Sequence, residues 1–161
     1  LLHAFSAAQA QGLQEHLVIV GDGELRESLT KLANDLSLNQ SVHFFGHRAN
    51  PFPYVKSSRF FVLSSIWEGF GLALLEALAL GTPSIATDCP SGPAEILGHG
   101  ELGIVVKIRD PAGLADAMLQ MSRSSQLREE FSRKALERAG QLSLERMAHS
   151  YRDLFLRELQ S

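Results

Sequence analysis

The sequence predicts an α/β fold, a parallel sheet covered by helices on both faces. Short apolar runs alternate with helical patterns as far as about residue 121. That order belongs to parallel strands, because each crossover between them needs room for a helix. The runs are apolar at consecutive positions, as in strands buried on both faces. The last forty residues contain no such run and add only helices.

Leu17-Val18-Ile19-Val20 is the first expected strand, ended by Gly21-Asp22-Gly23. A helix follows over about Glu24 to Leu36, with Leu25, Leu29, Leu32 and Leu36 on one face. Val42 to Phe45 is a strand closed by Gly46, and Pro51 and Pro53 fit the start of a short helix through Lys56. Phe60 to Leu63 is a strand, Ser64 to Gly71 a loop, and Leu72 to Leu80 a helix stopped by Gly81 in a left-handed cap. Ser84 to Ala86 and Gly103 to Val106 are strands, with a short helix opened by Pro93 between them. Asp110-Pro111 supplies an N-cap and first helical residue for a helix to about Met121. Leu144, Met147, Ala148, Tyr151, Leu154, Phe155 and Leu159 mark an amphipathic helix whose apolar stripe must cover this sheet or a neighbouring domain.

A length of 161 residues suits one domain, and 45% hydrophobic with 20% charged residues is an ordinary globular composition. The net charge of -3 argues against a nucleic-acid binder held by a basic surface. The single Cys89 excludes an internal disulfide, suits a reducing compartment and reads as a small packed thiol. Arg123, Arg128, Arg133, Lys134 and Arg138 alternate with Glu129, Glu130 and Glu137, which reads as a solvated helix face, with membrane contact the lesser alternative. The chain begins at Leu1-Leu2-His3-Ala4-Phe5, already helical in pattern and without methionine, so it is expected to be a piece of something longer.

An open parallel sheet binds ligands beyond the carboxyl ends of its strands. The loops that matter are therefore Gly21 to Gly23, Gly46 to Pro51, Ser64 to Gly71 and Thr87 to Gly92. In Leu72 to Leu80 every residue except Glu76 is alanine or leucine, so this helix is expected to be buried nearly all round. A carboxylate there needs donors. Glu76 is either a structural acid, capped by a nearby Arg or Lys or reaching solvent near the helix N-terminus, or it accepts hydrogen bonds from ligand hydroxyls. Gly69 and Gly71 at the loop-to-helix junction let backbone approach a ligand, and the amides that follow favour phosphate; a plain tight turn would use glycine too. Trp67 could stack on a ligand or pack. His43 and His47 lie in a strand and its turn, where a four-residue spacing does not align two metal ligands. Gly21-Asp22-Gly23 lacks the third glycine of a dinucleotide fingerprint.

Taken in order, Val20-Gly21-Asp22-Gly23, Phe45-Gly46, Glu68-Gly69-Phe70-Gly71-Leu72-x-x-x-Glu76-Ala77, Gly81-Thr82-Pro83, Thr87-Asp88, Gly92 with Glu95-Ile96-Leu97, Gly103 and Asp110-Pro111 resemble the large retaining glycosyltransferase family called group 1. The resemblance runs from about Leu17 to Met121. It implies a two-domain GT-B architecture of Rossmann-like three-layer halves, of which this chain, 1–161, is the C-terminal donor-binding half with added C-terminal helices. By that resemblance Glu76 would bind the donor ribose. Glu68 would be the catalytic-site carboxylate that touches the transferred sugar, and the backbone of Gly69, Phe70, Gly71 and Leu72 would meet sugar and diphosphate. The Gly46-His47-Arg48 turn would edge the base.

The same resemblance implies transfer from a nucleotide sugar, UDP-linked, to a glycan or lipid-linked acceptor in polysaccharide assembly. No metal or other cofactor is implied, and the setting would be cytoplasmic, at the inner face of the membrane. Relatives place a Gly-Arg pair and a downstream Lys before the position where this chain starts. By that resemblance those cations, the first strand and the acceptor-binding half are expected to lie outside residues 1–161. The chain alone is therefore expected to bind donor weakly and transfer little. A truncated binding module without transfer, or a UDP-sugar epimerase of the same architecture, are the competing readings.

Overall fold

The computed structural model describes residues 1–159. Its elements are α1 (Leu2–Ala10), β1 (Leu17–Val20), α2 (Arg26–Asp35), β2 (Val42–Gly46), α3 (Phe52–Ser57), β3 (Phe61–Leu63), α4 (Leu72–Ala79), β4 (Ser84–Thr87), α5 (Pro93–Ile96), β5 (Ile104–Val106), α6 (Pro111–Arg123), α7 (Ser125–Gln141) and α8 (Leu144–Glu158). Strands and helices fall where the apolar pattern puts them, with ends shifted by a residue or two.

All strand pairings are parallel, but the expected single sheet is two. β1 pairs with β2, Leu17 opposite Val42 and Ile19 opposite Phe44, with a bulge at Val20. β3, β4 and β5 form the other sheet in that order, with Val62 opposite Ile85 and Ile85 opposite Ile104. β1 thus keeps one free edge and β3 another, and both border a cleft of about 640 Å³. The sequence pattern specifies each strand's burial, not its neighbours, so the division is invisible to it.

β4 is buried along its whole length. Its neighbours Ile85 and Ala86 point to opposite faces, as successive strand residues must. Ile85 joins a core with Phe5 and Ala8 of α1 and Leu114, Met118 and Met121 of α6. Ala86 joins a second core with Leu74 and Leu78 of α4, Ile96, Leu97 and Ala135 of α7. Helices therefore cover both faces, and each fully buried leucine contributes about 1.5–3 kcal/mol.

Two caps work as the sequence predicts. The Asp110 carboxylate accepts from the Gly113 amide at 2.9 Å, with Pro111 next in the first turn of α6. Gly81, at φ +72°, ends α4: its amide donates to Leu78 and that of Thr82 to Ala77, the paired bonds of a left-handed C-terminal cap.

Other expectations fail. Leu25 and Leu29 are exposed, and only Ala33 of α2 is fully buried, because the helix meets the core by its C-terminal half alone. The basic residues of α6 and α7 are mostly not a free solvated face. Arg123 donates to the Gln11 carbonyl, Arg128 to those of Met121 and Ser122, Lys134 to that of Glu101 and Arg138 to that of Glu95. They tie α6 and α7 to the C-terminal ends of α1 and α6, to α5 and to the turn at Glu101, while Arg133 alone of the five forms only a surface pair, with Glu137 at 3.0 Å. Helical periodicity sees charge but not the carbonyls a guanidinium can reach.

The apolar stripe of α8 does not cover this sheet. Leu144, Met147, Tyr151, Leu154 and Phe155 are exposed, as is Leu159 just beyond. No helix among the described residues is long and apolar enough to cross a membrane.

Candidate functional site

The loops after β3 and β4 are built against each other. The Thr87 hydroxyl donates to the Ser65 carbonyl, joining the two strand tips, and the Ser65 hydroxyl donates to Glu68 Oε1 at 2.6 Å. Glu68 is half-buried and held in place by that bond. Gly92, at φ +103°, packs backbone to backbone on Phe70; a Cβ there would overlap the Phe70 carbonyl. Gly71, at φ +94°, is the N-cap of α4, a left-handed position that disfavours residues with a Cβ. Its carbonyl takes the amides of Leu74 and Leu75, and among the described residues those of Leu72 and Ala73 have no protein acceptor, as is usual in the first turn of a helix. Free amides at this positive helix end attract an anion.

The expectation that α4 is buried all round is wrong. Leu74, Ala77 and Leu78 are buried, but Leu72 is 66% exposed, and Ala73, Glu76 and Ala79 share its open face. The free edge of β3 leaves that face open, and Ala73 and Glu76 line the cleft beside it. Among the described residues Glu76 has no side-chain hydrogen bond or ion pair, so the internal Arg or Lys cap is absent. The carboxylate is a free acceptor on a rigid helix. Trp67 stands 71% exposed rather than packed.

The Gly46-His47-Arg48 turn belongs to the other sheet. Gly46, at φ +69°, accepts from the Gly21 amide at 2.9 Å. Arg48 lies over the Phe45 ring at 5.8 Å, and both His47 and Arg48 are exposed. No hydrogen bond or ion pair among the described residues joins this turn to the Glu68 loop. Asp22 and Gly23 stay with it too: Asp22 holds the Gly23 amide at 2.9 Å and Arg26 at 3.0 Å. Glu68, Gly69, Phe70, Gly71 and Leu72 form one turn at the start of α4, Glu76 follows on the same helix and lines the cleft that those five do not, and Gly46, His47 and Arg48 stand apart on the other sheet.

Sequence reasoning missed three features. Arg26 places a cation at the tip of β1, half spent on Asp22. His16 Nδ1 and His43 Nε2 lie 2.8 Å apart, joined by one hydrogen bond across the strand start. Arg59 and Glu15 pair at 2.7 Å between the two sheets. Burial by itself would raise the Glu15 pKa, but the Ser122 hydroxyl, the backbone and Arg59 outweigh it and hold it low. Spacing of 27 and 44 residues carries no sequence signal for such pairs. Among the described residues no group of three or more His, Cys, Asp or Glu side chains could hold a metal ion.

Cys89 is buried, and its thiol is pushed up by that burial, then by the nearby Glu68 carboxylate. The folded pKa lies above the unfolded value of about 8.5. This contribution to stability is therefore present below that value and lost as pH rises through the folded one. In Glu68→Gln the carboxylate's part disappears, and a thiolate absorbance titration will find the Cys89 pKa lowered. An unchanged pKa would place Glu68 away from Cys89.

This architecture is that of GT-B glycosyltransferases. TarM of S. aureus superposes with a TM-score of 0.88 at 24% identity, over 96% of this chain and 31% of its own. The pneumococcal O-GlcNAc transferase GtfA does so with 0.83 at 19%, over 99% and 33%. The model of the family "Glycosyl transferases group 1" matches residues 1–138, and the chain belongs to that family. It is 35% identical to the lipopolysaccharide core biosynthesis glycosyltransferase LpsE of Rhizobium meliloti, over 94% of this chain and 45% of the relative. It is 33% identical to an uncharacterized glycosyltransferase of Methanocaldococcus jannaschii, over 94% and 44%. The chain thus spans less than half the length of these curated relatives.

Proposed function

We propose that this chain is the donor-binding, C-terminal half of a retaining glycosyltransferase that takes its sugar from a UDP-sugar. One arrangement carries the reading: two carboxylates, Glu68 and Glu76, flank a helix start whose Leu72 and Ala73 amides are free. Glu76, without an internal partner, accepts hydrogen bonds from the ribose. The amides of the Gly69–Leu72 turn receive the diphosphate, and Glu68, held by Ser65, positions the transferred sugar through its hydroxyls. The Gly46-His47-Arg48 turn edges the base through its main chain.

In sugar transfer positive charge grows on the ring and negative charge on the departing diphosphate, so positioning and charge stabilisation are the protein's main tasks. The α4 amides supply part of the second without a divalent ion. The acceptor, a glycan or lipid-linked sugar, would be held by a further domain, and the proposed place of work is the cytoplasmic face of a membrane. LpsE, named for lipopolysaccharide core synthesis, supports that setting.

Calorimetric titration with UDP, GDP and ADP tests the reading. UDP should bind this chain weakly and best of the three. If UDP binds no better than ADP and GDP, or shifts none of the resonances of residues 68–76, the donor assignment fails.

A further inference from the structure

We propose that the cavity between α7 and the turn after α5 is a binding site for a neutral sugar ring, separate from the proposed donor site. The cavity measures about 320 Å³, within the range of about 300–1,000 Å³ usual for small-molecule sites. It shares no lining residue with the cleft between β1 and β3 or with the Glu68–Leu72 turn. The proposal rests on none of the donor-site assignments.

Both walls are held in place. On one side Lys134 and Arg138 lie one helical turn apart on α7, so they share a face. On the other, the amides of Gly100 and Leu102 donate to the Leu97 carbonyl and that of Glu101 to the Gly98 carbonyl, which folds residues 97–102 into a tight turn. Two bonds cross between the walls. Arg138 Nη2 donates to the Glu95 carbonyl at 3.0 Å, and Lys134 Nζ to the Glu101 carbonyl at 3.1 Å. Leu102, half-buried, adds an apolar patch.

The pairing of charges decides what remains for a ligand. Lys134 is matched by Glu130 at 2.6 Å, and Glu137 by Arg133 at 3.0 Å. Among the described residues Arg138 has no carboxylate partner, and its Nε is buried without an acceptor. A guanidinium carries five N–H donors. Only two are used here, the second on Gln141 Oε1 at 3.2 Å. Glu95 and Glu101 also line the cavity, and among the described residues neither carboxylate has a hydrogen bond or ion pair. A buried donor without an acceptor is costly, so a ligand that supplies one is favoured.

An anion meeting Arg138 would face two free carboxylates. A cation meeting those carboxylates would face Arg138 and Lys134. No three of the described His, Cys, Asp or Glu side chains converge on a metal site either. A sugar ring satisfies every group at once: its hydroxyls donate to Glu95 and Glu101, its oxygens accept from Arg138, and its C–H face covers Leu102.

The test titrates the ¹⁵N-labelled chain with the methyl glycosides of glucose, galactose, mannose and N-acetylglucosamine, and separately with inorganic phosphate and spermidine. It follows the Arg138 Nε–H resonance and the backbone amides of residues 95–102 and 134–141. At least one glycoside should shift these saturably and slow exchange of the Nε proton by about 10-fold or more. Arg138 also braces α5, so the variant of choice is Glu101→Ala, whose side chain has no internal partner to lose. It should keep the wild-type Tm and bind that glycoside about 10-fold more weakly or worse. UDP should leave these resonances where they are, so the site stands even if the donor reading fails. No shift with any of the four glycosides, stronger shifts with phosphate or spermidine, or wild-type glycoside affinity in Glu101→Ala would each overturn the proposal.

Discussion

Replacing Gly92 by alanine is expected to destabilise the protein by about 3 kcal/mol or more and to open the donor loop. Two effects add. At φ +103° and ψ -64° a residue with a Cβ is strained by about 1–3 kcal/mol. The new Cβ also falls on the Phe70 carbonyl, and its three nearest neighbours, each within 3 Å, are Phe70 backbone atoms. No rotamer change can relieve a backbone clash, so residues 69–71 must move. For a chain of this size that loss lowers Tm by roughly 6–12 °C. The displaced segment includes the Gly71 cap of α4, so UDP affinity should fall with stability.

Gly140→Ala is the matched control. Gly140 sits in α7 with open space around its missing side chain, and alanine there should be neutral or stabilising by up to about 1 kcal/mol. Thermal unfolding of the two variants decides the point. If Gly92→Ala melts with wild type, the loops after β3 and β4 are not packed as described.

Much of this was legible in the sequence because it is local. Gly81 and Asp110 announce their caps through residue type, and the strands through apolar runs between turns. Glu68, Gly69, Gly71 and Glu76 lie within nine consecutive residues, so the order of the motif already placed them at one loop and helix. What stayed hidden depends on which elements are neighbours. An Ala- and Leu-rich helix looks buried all round, yet α4 has one open face because β3 lacks a partner on that side. Gly92 gave no sign of its contact with Phe70, which is 22 residues away in the chain. The Glu15–Arg59 and His16–His43 pairs are equally long-range, and the five basic residues of α6 and α7 find carbonyls that charge patterning cannot foresee.

The open face of α4 turns a mistaken expectation into a sharper one for Glu76. A buried acid would have served folding as well as binding, so its removal would confound the two. An exposed acid with no internal partner does nothing for the fold, and alanine is the better helix former. Glu76→Ala should therefore keep its Tm within a degree or two, or raise it slightly. Donor binding should respond very differently. Hydrogen bonds to a charged acceptor contribute about 1.5–3 kcal/mol each, so losing one ribose contact weakens UDP by roughly 10- to 150-fold. Glu76→Gln keeps shape and one acceptor oxygen but loses the charge, and should fall between wild type and alanine. Glu68→Gln should leave UDP affinity near wild type and weaken a UDP-sugar, because Glu68 is assigned to the sugar and not the nucleotide. Calorimetry on the four proteins separates the roles: wild-type UDP affinity in Glu76→Ala would remove Glu76 from the ribose, whatever the fate of the fold.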